Sequence, residues 1–196
     1  MQKLVLASHN PGKLCELQAV LVPLGIEVFT QQHLAIQEAE EPHCTFIENA
    51  LAKARHASRL SQLPALADDS GICVTALGGA PGVQSARYAG EPKSDARNNR
   101  KLLQAMQGLS ERSAHYYCVL ILVRHADDPQ PLIAEGEWHG EIAHQQRGSG
   151  GFGYDPLFWL PHLGKTSAEL AQEEKARLSH RAQALQVLLR RLVESQ

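Results

Sequence analysis

The stretch ALADDSGICV, residues 65–74, constrains this chain more than any other. Ala65, Leu66 and Ala67 read as the end of a buried strand, and the acids Asp68 and Asp69 follow at once. Ser70 and Gly71 are turn formers, expected to break the strand before Ile72, Cys73 and Val74 resume it. An isolated charge is costly to desolvate, so two adjacent acids at the end of a buried strand call for a cation. Oxygen ligands of this kind suit Mg²⁺. The residues alone leave one alternative open, a solvated strand end with an acidic turn.

The segments on either side supply complementary chemistry. Residues 4–7 are a short apolar strand, and Ser8, His9, Asn10, Pro11, Gly12 and Lys13 follow. Asn10 suits a helix cap and Pro11 the first helical position. The helix carries Leu14, Leu17, Val20 and Leu21 on one face. Free backbone N–H groups at its start, with Lys13 beside them, form a candidate anion site. No Walker A spacing is present there. Residues 26–29 read as a second strand, and residues 38–41, with Glu40 and Glu41, as an acidic loop ended by Pro42. Thr45 and Glu48 have capping-box spacing. The helix they open is expected to reach about Leu60, with Ile47, Ala50, Leu51, Ala54 and Ala57 inward and Asn49, Lys53 and Arg55 on other faces.

Beyond the central strand, residues 77–82 form a glycine-rich turn, and Ser94 caps a helix over residues 95–106. Residues 115–124 and 132–142 read as two long strands, antiparallel across the turn Asp127, Asp128, Pro129. A glycine-rich frame at 148–156 carries Phe152, Gly153, Tyr154 and Asp155, and Phe158 and Trp159 form a short strand. One final helix is expected from Glu173 or Glu174 to about Val193, with Lys175, His180 and Arg181 near its start. Charged helix ends are ordinarily solvated surface. Helices alternating with strands make this an α/β domain.

The formal charge of −2 argues against a non-specific nucleic-acid binder. The four cysteines lack C-x-x-C spacing. Three of them sit among apolar neighbours as small core residues, which fits a reducing compartment. The N-terminal apolar run is too short for a signal peptide, and no run spans a bilayer. The expectation is one cytoplasmic domain over residues 1–196, without membrane or nucleic-acid partners. Lys13, Lys53 and Lys175 suit phosphates. Glu40, Glu41, Asp68 and Asp69 suit Mg²⁺. Phe152 suits stacking on a base whose edge His180 and Arg181 read. Together they suit a nucleoside triphosphate bound with metal.

Five stretches carry a resemblance in the same order along nearly the whole chain: LASHNPGKLCEL, TFIENALAKARHA, ADDSGICVTALGGAPGVQSARYAG, GGFGYDPLF and EEKARLSHRAQAL. They resemble the inosine triphosphate pyrophosphatase family, also called the Ham1 family. One departure stands out, because His9 occupies a position that is often glycine in the family's first loop. The resemblance implies a mixed central sheet flanked by helices, an elongated two-lobed fold with the active-site cleft between the lobes, and a homodimer. It implies hydrolysis of ITP, dITP and XTP to the monophosphate and pyrophosphate. By position, Ser8 through Lys13, Ser70 and Lys175 would hold the triphosphate. Glu40, Glu41 and Asp69 would hold Mg²⁺. Asp69 would accept a proton, with Asp68 and Lys53 in the same catalytic group. Phe152, Gly153, Tyr154, Asp155, His180 and Arg181 would hold base and sugar. A Maf-like nucleotide pyrophosphatase is the nearest rival, disfavoured by GGFGYDPLF and the Ser-His-Arg stretch. A non-enzymatic nucleotide sensor is the other, and the paired aspartates argue against it.

Overall fold

The computed structural model describes residues 2–194. In chain order these form β1 (Lys3–Leu6), α1 (Pro11–Leu21), β2 (Glu27–Thr30), α2 (Phe46–Ser61), β3 (Ala65–Val74), α3 (Asp95–Ala105), β4 (Ser113–Val123), β5 (Leu132–Ile142), β6 (Phe158–Leu160), β7 (Lys165–Thr166), α4 (Gln172–Leu178) and α5 (His180–Glu194). The strands form one mixed sheet in the order β2-β1-β3-β4-β5-β6-β7. β1 runs parallel to β2 and β3, whereas β6 runs antiparallel to β5 and β7. Among the described residues no helix is long and apolar enough to cross a membrane.

The backbone divides into two compact units, the first made of residues up to Asp69, Val119–Glu135 and the chain from Ala184, the second of Ser70–Cys118 and Gly136–Gln183. In the first, parallel neighbours require crossovers, and α1 and α2 supply them. Leu4, Val5 and Leu6 of β1 are fully buried, and α2 turns Ala50, Ala54 and Ala57 inward. Two expectations for α2 fail. Ile47 is 38% exposed, and Asn49 is buried. Asn49 can be inside because its amide accepts from the His43 N–H and donates to the His43 carbonyl. The predicted turn after β4 is present, and Asp128 is its fully buried anchor. Its carboxylate accepts from Arg124 Nε at 2.8 Å and from the Arg124 and Gln130 backbone N–H groups. The Arg124 guanidinium holds Asp128 well below the usual carboxylate range.

β3 is unbroken, contrary to the expected interruption at Ser70 and Gly71. The buried Ile72 N–H finds its acceptor in the Ser85 hydroxyl at 2.9 Å, so extended backbone continues without a missing partner. The second unit packs Ile72, Leu102, Met106, Trp138, Leu157 and Phe158 into one core. The Tyr116 and Trp138 rings lie 4.7 and 5.3 Å from Phe158 in tilted pairs. Ser94 caps α3 as expected, accepting from the Arg97 N–H. The expected final helix is two helices. Ser179 is extended, with φ −64° and ψ 155°, and its hydroxyl accepts from the Ala182 N–H. A serine that bonds backbone this way starts a helix more readily than it continues one. Of the cysteines only Cys118 is buried; Cys73 is intermediate, and Cys15 and Cys44 are exposed.

Candidate active site

The first unit brings the charged candidates together. Ser8 accepts from the Asn10 N–H, and Asn10 Oδ1 accepts from the N–H groups of Gly12 and Lys13. Leu14 N–H goes to the Asn10 carbonyl, and Pro11 has none to give. The backbone donors counted as free in the sequence are therefore held by Asn10. What this helix start offers an anion directly is side chains, Lys13 foremost. Lys13 Nζ lies 2.7 Å from Asp68 Oδ2, and Asp68 is 1% exposed. Lys53, from α2, stands 2.6 Å from Glu41 Oε1 and 3.6 Å from Asp69 Oδ1. Each aspartate of the central pair thus faces its own lysine, and the solvated-turn alternative fails.

Burial raises the Asp69 carboxyl pKa, with Glu41 and Asp68 adding to the rise and Lys53 and Lys13 opposing it. Burial also pushes the Lys53 ammonium down, but Asp69, Asp68 and Glu41 outweigh it and leave Lys53 above an ordinary lysine. Glu40 is exposed, while Glu41 is turned toward Lys53. Among the described residues no three His, Cys, Asp or Glu side chains are placed to cage a metal. Mg²⁺ at phosphate sites commonly takes one or two carboxylates together with phosphate oxygens. Glu41 and Asp69, already converging on one positive charge, are a pair of that kind. His9 takes no left-handed conformation; the described non-glycine residues with positive φ are Ala35 and Gln62. Its Nδ1 lies 2.8 Å from Glu38 Oε1 and 2.8 Å from the Gln31 amide. Glycine is thus not required at position 9.

The second unit holds the aromatic candidates. Asp155 is 2% exposed and organises the loop. It accepts from the Phe152 N–H at 2.8 Å and the Ser167 hydroxyl at 2.8 Å, pairs with Lys175, and lies 3.5 Å from the Tyr116 hydroxyl. Gly151 has φ +73°, and a Cβ there would lie 2.0 Å from Asp155 Oδ2, so only glycine fits. Tyr154 is buried and donates to the Ser85 carbonyl at 2.8 Å. That makes it a support of the loop. Phe152 stands 48% exposed, with Lys175 Nζ 4.6 Å from its ring centre. His180 stacks flat on Tyr116 at 4.8 Å, and Arg181 Nη2 lies 3.4 Å from Ser70 Oγ. Both are buried, at 7% and 3% exposure, so this charged helix end is not solvated surface.

Sequence reading missed Asn49, Tyr116 and Ser167. Asn49 ties the acidic loop to α2, while Tyr116 and Ser167 support His180 and Asp155. Asn49 lies one, five and eight residues from the inward Ala50, Ala54 and Ala57, about 100° off the middle of their stripe, so helical periodicity left no signal for it. Tyr116 and Ser167 act through contacts distant in sequence and left none.

A family model described as the Ham1 family matches residues 4–191. The chain is 66% identical to the dITP/XTP pyrophosphatase of Ralstonia nicotianae, over 98% of this chain and 97% of that one. It is 63% identical to the dITP/XTP pyrophosphatase of Nitrosomonas europaea, over 100% and 97%. A solved HAM1 protein from Coxiella burnetii superposes with a TM-score of 0.95 at 48% identity, covering 99% of this chain and 100% of that one. The Staphylococcus aureus Ham1 protein gives 0.91 at 37% identity, covering 100% of both.

Proposed function

We infer the activity of this chain from one premise: it belongs to the Ham1 family. It hydrolyses ITP, dITP and XTP to the monophosphate and pyrophosphate, a reading supported by relatives named dITP/XTP pyrophosphatase. The observation that carries this reading is the buried Asp68–Asp69 pair, each acid with its own lysine. Lys13 and Lys53 exchange these partners for phosphate oxygens, with Ser8, His9 and Lys175 around the triphosphate. Asp69 takes a proton from water as its oxygen attacks the α-phosphorus, and the bond to the bridging oxygen breaks to release pyrophosphate. Asp69 feels the charges of both Asp68 and Lys53, so naming it alone as the base is a choice of description. Glu41 and Asp69 would hold Mg²⁺, with Glu40 at the loop's exposed edge. When bound, the ion neutralises charge on the phosphates and the leaving pyrophosphate. Phe152 stacks on the base and His180 and Arg181 donate to its edge, on a loop that Gly153, Tyr154 and Asp155 shape.

One functional module over residues 1–196, acting as a cytoplasmic homodimer, belongs to the same reading. The family model's span of 4–191 supports the single module. A solution mass near 21.5 kDa would remove the dimer.

The test of the activity is product identity. Incubation with ITP and Mg²⁺ should release inosine monophosphate and pyrophosphate in equal amounts. Release of the diphosphate and orthophosphate would overturn the reading, and faster turnover of dTTP or UTP would favour the Maf-like rival. Lys13→Ala should raise KM for ITP by about tenfold or more, since a charge-assisted contact is lost. Inhibition by inosine monophosphate should change little. Equal losses for both nucleotides would place Lys13 away from the β- and γ-phosphates.

A further inference from the structure

We propose that Asp95 and Asn99 are positioning residues for base recognition, clamping Gly153 by both of its backbone polar groups so that Phe152 is held for stacking. The proposal rests on the assignment of Phe152 to the base.

The Gly153 N–H donates to Asp95 Oδ2 at 2.7 Å, and the Gly153 carbonyl accepts from Asn99 Nδ2 at 2.7 Å. Asp95 and Asn99 are four residues apart, one turn of α3, and so present their side chains on one face. Asn99 Nδ2 also donates to the Asp95 carbonyl at 2.9 Å, and Asn99 is 2% exposed, which fixes the amide's direction. The helix itself is anchored in the core through Leu102. An ionised acceptor such as Asp95 makes the stronger kind of hydrogen bond, and in the first turn of a helix it also meets the favourable end of the dipole.

The loop needs such a clamp. Gly153 has φ +62°, and a Cβ there would meet nothing within 4 Å, so glycine is present for its conformation and not for lack of room. Glycines have the most conformational freedom to lose on ordering, and Gly148, Gly150, Gly151 and Gly153 crowd this frame. Phe152 is half exposed, so packing does not fix its ring. Its backbone is tied on one side by Asp155 at the Phe152 N–H and on the other by Asp95 and Asn99 at Gly153. The ring's place is inherited from those bonds.

The test is a double-mutant cycle with Phe152→Ala, read in ITP kinetics. Asp95→Ala should lower kcat/KM for ITP by about tenfold or more, chiefly through KM, because small misplacements of a substrate contact are costly. In the Phe152→Ala background the same change should have little further effect, since the ring it positions is gone. Asp95→Asn keeps an acceptor oxygen of the same shape and should restore most of the loss. Inhibition by inorganic tripolyphosphate, which has no base, should be unchanged by Asp95→Ala. Ser94→Ala removes the cap of the same helix without touching Gly153, and should lower the melting temperature while sparing KM. Additive effects of Asp95→Ala and Phe152→Ala, or a Ser94→Ala variant with the same KM defect, would overturn the clamp while leaving the base site standing. Phe152→Ala with parental ITP kinetics would overturn the base-stacking reading itself, and the clamp with it.

Discussion

Asp69→Asn is expected to lose about 10³-fold or more in kcat for ITP, because on the function proposed above one substitution removes both the proton acceptor and a metal-binding carboxylate. The fold should survive. Lys53 keeps Glu41 at 2.6 Å, and the amide matches the carboxylate in size. Stability should change little. Burial raises the Asp69 pKa in the folded chain, so the folded state binds that proton more tightly than the unfolded one. A raised carboxyl contributes stability at low pH and loses it as pH climbs through the folded value. A neutral amide removes that buried charge, but also the attraction by which Asp69 supports the buried Lys53, and the two effects oppose. The prediction is a variant nearly without turnover that melts close to its parent. Turnover near the parental rate would make the central pair structural. A collapse in melting temperature would show that Asp69 chiefly balances Lys53.

Arg181→Ala should shrink the ITP/ATP preference by about 10²-fold or more, a part of the roughly 10⁴-fold by which sites built from buried hydrogen bonds can discriminate. Hypoxanthine and xanthine carry an oxygen at C6, where adenine carries an amino donor. Arginine is donor-only, and His180 can donate as well. Arg181 is 3% exposed, so an adenine amino group set against it would leave donors facing each other without water to intervene. Guanine shares the C6 oxygen, and the ITP/GTP ratio should move far less. Arg181→Lys keeps the charge but loses the planar fork, and should recover only part of the preference. Competitive kinetics on mixed nucleotides reads both ratios at once. An unchanged ITP/ATP ratio in Arg181→Ala would take base reading away from this helix start.

Local chemistry was the legible part. Asn10, Thr45 and Ser94 cap the helices assigned to them, because a cap is written within a few residues of itself. The alternating segments gave the strands, including the limits of β5. Long-range partnership was hidden. Lys13 and Lys53 were expected to meet phosphates, but their pairing with Asp68 and Asp69 joins positions 55 and 16 residues apart. The Ser70–Gly71 step looked like a strand break, since nothing near it announces the Ser85 hydroxyl that completes the ladder. Asn10 itself misled in one respect: read as a cap, it also takes the donors that the anion argument had left free.

The end of α4 at Ser179 resets an angular phase. Successive residues of an α-helix are rotated by about 100°, so in an unbroken helix positions 175 and 180 would lie roughly 140° apart around the axis. Side chains so disposed serve nearly opposite directions. With Ser179 extended, His180 begins a new helix whose rotation owes nothing to the old one. Lys175 can then pair with Asp155 while His180 stacks on Tyr116, the phenol that also approaches Asp155. A serine that repaired the helix here would leave every side chain in place along the sequence and turn half of them away from a common target.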